Sequence, residues 1–277
     1  MRFSVEAFPP RSEKNRTGLQ QAVNKISLIG TEFLSITCGA GGGDNDDLTS
    51  VVDMAISAGV PFVPHITMSN VSREKLMSMI HKYEAMGATG FVALRGDAPA
   101  HQDGFEDVRG LISEIASRSG SKVFCAGYPD PHPDSISDDL DIKWIKGKAE
   151  AGADEIITQY TFSIETLCRF RDKVAKIVPR IGLRPGVMLI KDLNGVLSFS
   201  KRSGVPVPES LIYRLEGREG EDLINISSDL TAGFIREMAA EGFGSFHAYA
   251  LNDHRILSRL DDMEVLTASR KAGMMSL

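Results

Sequence analysis

A helical stretch that ends in glycine and runs at once into a short apolar strand recurs along the chain, and few folds can absorb that repeat. Residues 26–30 lead into 33–37, 55–59 into 62–65, and 83–87 into 90–94. The pattern returns at 115–120 into 123–126, 148–152 into 155–159, and 238–242 into 245–249. Glycine just past a helix supplies the left-handed turn at no steric cost. The period is roughly 30 residues, that of one strand-plus-helix unit. An opening strand, Arg2-Phe3-Ser4-Val5-Glu6, alternates apolar and polar residues and must stop before Pro9-Pro10. With a strand at 180–186 the count reaches eight. Helices are expected over 46–57, 72–86, 105–118, 135–151 and 163–177, with one or two extra helices between 206 and 241, before the last strand. Alternating strands and helices over about 250 residues predict an α/β fold of the (β/α)8 or TIM-barrel type, one unit spanning 1–277. An open doubly wound sheet is the alternative, but no Gly-x-Gly-x-x-Gly run opens any helix.

Composition narrows the function classes. The 277 residues are 42% hydrophobic and 25% charged, with a formal net charge of −6, so neither nucleic acid nor an anionic membrane is an expected partner. Cys38, Cys125 and Cys168 lie far apart in sequence and form no Cys-x-x-Cys pair, which fits reduced thiols and a cytoplasmic location rather than a zinc cluster. No signal peptide and no membrane span are expected. No metal site is predicted, because no His/Asp/Glu spacing suits one.

In a (β/α)8 barrel the chemistry sits at the carboxyl ends of the strands. Those ends read Glu6, Thr37, His65, Asp97, Tyr128, Gln159, Arg184 and Tyr249. Such a polar ring exceeds what a packed barrel needs. A carboxyl group half-buried there has its pKa raised, as a general acid near neutral pH requires; a surface carboxylate at a strand end is the plainer reading of Glu6 alone. The glycine-rich stretch 39–43 lets backbone approach a ligand, yet no Gly-Lys-Ser/Thr follows to make a phosphate loop. A single histidine such as His65 is more often structural than a ligand.

These residues carry a resemblance to the methylenetetrahydrofolate reductase family, over essentially the whole chain. The motifs are Glu6 before Pro9-Pro10, Thr37-x-Gly39-Ala40-Gly41-Gly42, Pro64-His65-Ile66-Thr67, Leu94-Arg95-Gly96-Asp97 and Tyr128-Pro129-x-x-His132-Pro133. Lys148-x-x-Ala151-Gly152-Ala153-Asp154, Ile157-Thr158-Gln159 and Phe246-His247-x-Tyr249-x-Leu251-Asn252 complete the set. Singly each is weak; in this order they are specific. The resemblance implies a FAD-containing barrel that reduces methylenetetrahydrofolate with NADH or NADPH. It implies Glu6 as general acid and Asp97 as the carboxylate between flavin and pterin. By the same correspondence Thr37, His65, Leu94, Arg95, Gly96, Asp97, Ala126, Tyr128, His132, Asp141 and Lys148 are flavin contacts. Gln159 reads the pterin, Phe199 stacks on nicotinamide or folate, and Tyr249 lines the substrate site.

Some positions depart from the family pattern. Ala7 stands where Phe is usual, Gly195 replaces a folate-binding Gln, and Asp253 replaces a basic residue. Trp144 and Gly147 stand where Asn and Arg are common, which removes one contact of the diphosphate type. The expected reaction is hydride transfer from NAD(P)H to flavin and then to folate in one shared pocket. Flavin-independent direct transfer to the same substrate, and a pterin-binding methyltransferase barrel, are the rival readings. A homo-oligomer is compatible with the resemblance.

Overall fold

A computed structural model describes residues 1–10, 12–38, 46–96, 99, 101–118, 120–131, 135 and 137–266. Eight parallel strands close in sequence order: β1 (Arg2–Ala7), β2 (Leu34–Ile36), β3 (Phe62–Thr67), β4 (Gly90–Leu94), β5 (Lys122–Gly127), β6 (Glu155–Tyr160), β7 (Gly182–Met188) and β8 (Ser245–Tyr249). β1 lies between β8 and β2, with Ser4 opposite His247 and Glu6 opposite Ser35. The expected barrel is the observed one.

The described helices are α1 (Glu13–Ile29), α2 (Asp46–Ser57), α3 (Arg73–Ala85), α4 (Val108–Ala116), α5 (Asp138–Glu150), α6 (Ile164–Ile177), α7 (Leu193–Ser203), α8 (Glu209–Leu215), α9 (Gly220–Ala240) and α10 (Arg255–Asp262). Local chemistry sets their ends. Ser12, Ser72, Ser137 and Ser163 each accept a backbone N–H as N-cap, and Gly30 closes α1 at φ 88°. The two extra helices foreseen between 206 and 241 are α8 and α9. α7 was not foreseen, because its buried positions, Val196 and Ser200, make too thin an apolar stripe to announce a helix.

Strand alternation sorts the side chains. Phe3, Val5 and Ala7 of β1 join the core between strands and helices, while Ser4 and Glu6 face the barrel axis. Phe33, Val63, Val92, Phe124 and Ile157 fill the interior as a separate cluster. A second cluster, around Tyr160, Met188, Val196 and Leu215, seats α7 and α8 beside the ends of β6 to β8.

One strand, β7, is shifted from its expected place at 180–186. β7 runs to Met188 rather than Gly186, so Arg184 is its third residue and not its last. Arg184 lies at the opposite end of the barrel from Glu6. Its Nε donates to Glu155 Oε1 at 2.9 Å and its Nη1 to Glu32 Oε2 at 2.6 Å, with the guanidinium 5.0 Å above the Phe33 ring. Arg2 and Lys122 complete this network on Glu32 and Glu155. Arg184 is 3% exposed, and a charge so deep persists only because it is paired. It is a structural residue, not a mouth residue.

Candidate active site

The mouth is built from the inward positions nearest the carboxyl ends of the strands. Glu6 is the last of these on β1, and its side chain is 12% exposed. Burial raises its pKa from 4.5 to about 8. His65 on β3 places its Nε2 3.9 Å from Glu6 Oε2, beyond hydrogen-bond range. Burial lowers His65 to about 4, so the imidazole is neutral near pH 7. The two effects support each other. An imidazolium at that distance would pull Glu6 toward its ionised form; a neutral ring leaves the acid protonated.

Beneath this pair sits a polar layer that lies outside the ring of strand-end residues. His247 is 1% exposed, with Nδ1 2.7 Å from Ser4 Oγ and Nε2 3.2 Å from Ser35 Oγ. Burial, then the positive charge of Arg184, holds it well below the usual histidine range. The signal was present in the sequence: Ser4 and His247 stand two residues before Glu6 and Tyr249 on their strands, hence on the same inner face. Tyr249 reaches across the mouth to donate to Thr158 O at 2.8 Å, and its ring packs edge-on to His247. Burial, then the nearby Glu6, raises the Tyr249 phenol well above its ordinary value. At pH 7 Glu6, His65, His247 and Tyr249 are therefore neutral.

Gln159 is half-buried on β6, beside the register shift between β6 and β7. Its Oε1 accepts from Tyr160 N at 3.0 Å, so the backbone engages the oxygen end of the amide. The next side chain, Tyr160, places its hydroxyl 3.0 Å from Ser200 Oγ and so fixes α7 against β6. Phe199 on α7 is 39% exposed, and the Arg202 guanidinium lies 4.7 Å over its ring. One face of the expected stacking ring is thus already covered.

The expected flavin contacts gather around β2 to β5. Thr37 follows β2 and donates its backbone N–H to Ala7 O at 3.0 Å. Leu94 lines the interior, and Arg95 follows it on the surface. Gly96 has φ 84°, and a Cβ there would collide with Ser69 Oγ and Thr67 Cγ2, so no other residue fits. Lys148 reaches from the last turn of α5 to donate to Ala126 O at 2.9 Å. Burial lowers its pKa, and the like charge of Arg95 acts in the same direction. An ammonium held by a carbonyl in so desolvated a place suits an anionic ligand such as a diphosphate. Asp141 accepts from Ser135 Oγ at 2.7 Å. Tyr128 and Asp141 line a cavity of about 230 Å³ between α5 and α6. A larger cavity, about 440 Å³, lies apart from these residues between α8, α9 and β7. Asp97, His132 and the glycine-rich stretch 39–43 fall outside the described residues.

Among the described residues no cluster of three His, Cys, Asp or Glu side chains could hold a metal ion, and no helix is long and apolar enough to cross a membrane. Arg109 of α4 lies across Gly147, its Cδ 3.0 Å from where the glycine's Cβ would be.

Comparison with known proteins shows the family. In structure the chain is similar to an uncharacterized protein from Clostridium thermocellum that binds two copies of 5-methyl-5,6,7,8-tetrahydrofolic acid. The TM-score is 0.65 at 12% identity, over 99% of this chain and 96% of that one, which bears on the fold alone. In sequence it is 29% identical over 256 residues to the 5,10-methylenetetrahydrofolate reductase of Salmonella typhimurium, covering 90% of this chain and 86% of the relative. The enzyme of the same name from Buchnera aphidicola subsp. Schizaphis graminum is 31% identical over 262 residues, covering 92% and 88%. The methylenetetrahydrofolate reductase family model matches residues 1–262, and the chain belongs to that family of oxidoreductases.

Proposed function

We propose that the chain reduces 5,10-methylenetetrahydrofolate to 5-methyltetrahydrofolate through bound FAD, with NADH or NADPH as reductant and Glu6 as the general acid. One observation carries the reading: a carboxyl group at the barrel mouth, buried enough to raise its pKa to about 8, in a chain of this family. The reaction adds a hydride to the bridging carbon of the folate and a proton to the ring nitrogen that releases it. Glu6 holds that proton, and neutral His65 keeps it there. The amide NH2 of Gln159 meets an acceptor on the pterin edge. Tyr249 closes the mouth between β8 and β6 and limits water beside Glu6. Phe199, backed by Arg202, offers its remaining face to whichever planar substrate is present.

FAD, when bound, supplies the hydride carrier between the two substrates. The residues suited to hold it are Thr37, His65, Leu94, Arg95, Gly96, Ala126, Tyr128, Asp141 and Lys148, with Asp97 and His132 assigned by motif. Gly96 admits close backbone approach, and Lys148 offers a desolvated ammonium to the diphosphate. Direct hydride transfer without flavin is the reading that Trp144 and Gly147 favour; the intact Arg95-Gly96-Asp97 stretch and His132 weigh against it.

Anaerobic stopped-flow absorbance tests this. The purified protein should carry flavin, NADH or NADPH should bleach it without folate, and methylenetetrahydrofolate should restore the colour. A colourless protein that still reduces folate with NAD(P)H would overturn the proposal.

A further inference from the structure

α9 carries neighbouring hydroxyls on its packed side, and they do not fare alike. Ser228 Oγ donates to Ile224 O and Thr231 Oγ1 to Ser227 O, each at 2.7 Å, the ordinary way a helix satisfies a buried hydroxyl. Ser227 is 1% exposed, yet among the described residues its Oγ has no hydrogen-bond partner. A hydroxyl buried in that state is unfavourable unless a ligand supplies the partner. Ser227 lines the cavity of about 440 Å³ between α8, α9 and β7, a volume that suits a small molecule. Gly233, further along α9, lines it too. Its φ is not positive, and a Cβ there would meet no atom within 4 Å. Packing therefore does not require glycine at that position; the space a side chain would take is cavity.

The lining changes with depth. Ser227 and Thr231, both buried, supply a polar floor. Phe162, Met188, Leu211 and Phe234 supply apolar walls. Arg214 of α8, and Asp229 and Glu237 of α9, line the cavity from exposed positions, and among the described residues no ion pair joins them. The opening thus carries a cation from one helix and anions from the other. A ligand that is only an anion would meet the two carboxylates, and one that is only a cation would meet the guanidinium. A zwitterion pairs with both signs.

We propose that this cavity is a second binding site, for an aromatic amino acid whose ring bears a polar atom. The apolar walls hold the ring, and its hydroxyl or N–H pairs with Ser227. The carboxylate meets Arg214, and the ammonium faces the α9 carboxylates. None of these residues is among those assigned to flavin or folate.

Calorimetric titration of the full chain with L-tyrosine tests this, beside three analogues that each lack one group. L-phenylalanine lacks the ring hydroxyl, tyramine the carboxylate, and 3-(4-hydroxyphenyl)propionate the ammonium. Each should bind about three- to tenfold more weakly than L-tyrosine. Ser227→Ala should bring L-tyrosine down to the affinity of L-phenylalanine and leave L-phenylalanine within about twofold. Arg214→Gln should weaken L-tyrosine by about three- to tenfold and leave tyramine within about twofold. Gly233→Leu puts a side chain into the open space, and it should abolish binding at an unchanged or raised Tm. No binding of L-tyrosine up to its solubility, equal affinity for L-phenylalanine, or binding that survives Gly233→Leu would each overturn the proposal.

Discussion

Exchanging Glu6 for Gln removes one proton from the barrel mouth and keeps the size and hydrogen-bonding atoms of the side chain. The carboxyl ionises at an ordinary value of 4.5 in the unfolded chain and at about 8 in the fold. Below 4.5 both states hold the proton, and the parent has its full stability. Between the two values only the unfolded chain releases it, so stability falls with rising pH by about 1.4 kcal/mol per unit. At pH 7 the loss approaches about 3 kcal/mol, a ceiling because local relaxation and water entry lower the burial penalty. The amide of the Glu6→Gln variant does not titrate. That variant should therefore match the parent near pH 4 and exceed it increasingly toward pH 8. For a domain of this size that is roughly 6–12 °C in Tm at neutral pH. His65 acts in the opposite window: its lowered pKa removes stability as pH falls from 6.5 to about 4, equally in both proteins, and cancels in the comparison. Thermal melts at several pH values supply the difference, and stopped-flow supplies its functional counterpart. Folate reduction should fall by about 10²–10⁴-fold while NAD(P)H bleaches the flavin at the parent rate. The parent's own folate reduction should decline as pH rises through about 8. A stability difference that stays flat with pH would show that Glu6 is ionised at neutrality, and the general-acid assignment would fail.

Arg184→Met should leave the KM for both substrates unchanged and cost about 3–5 kcal/mol of stability, because Glu155 loses a buried partner; denaturant titration measures the loss, and a large KM change at full stability would return Arg184 to the mouth. Gln159→Glu should keep the contact with Tyr160 N but lose the NH2 donors, raising the folate KM by one or two decades for a loss of about 1–3 kcal/mol. The nucleotide KM should hold within a few-fold, and equal damage to flavin reduction would refute Gln159 as a folate reader.

Local rules in the chain determined its architecture. Glycine after a helix, alternation in a strand and serine before a helix act over a few residues, and β4, β8 and α2 fall where those rules place them. The candidate acid was legible for the same reason, since Glu6 ends an alternating strand before Pro9-Pro10. What tertiary structure decided is which side chains from distant segments meet. Arg184 reads as a mouth residue until β7 is seen to extend two residues further and Glu32, 152 positions away, is found on its Nη1. His247 becomes part of the site only when barrel closure sets β8 beside β1 and brings Ser4, 243 positions distant, to its Nδ1. Gly147 reads only as a missing side chain until α4 packs on α5 and Arg109 is found lying across it. Register and helix packing are set by burial summed over the whole barrel, and no window of sequence contains that sum.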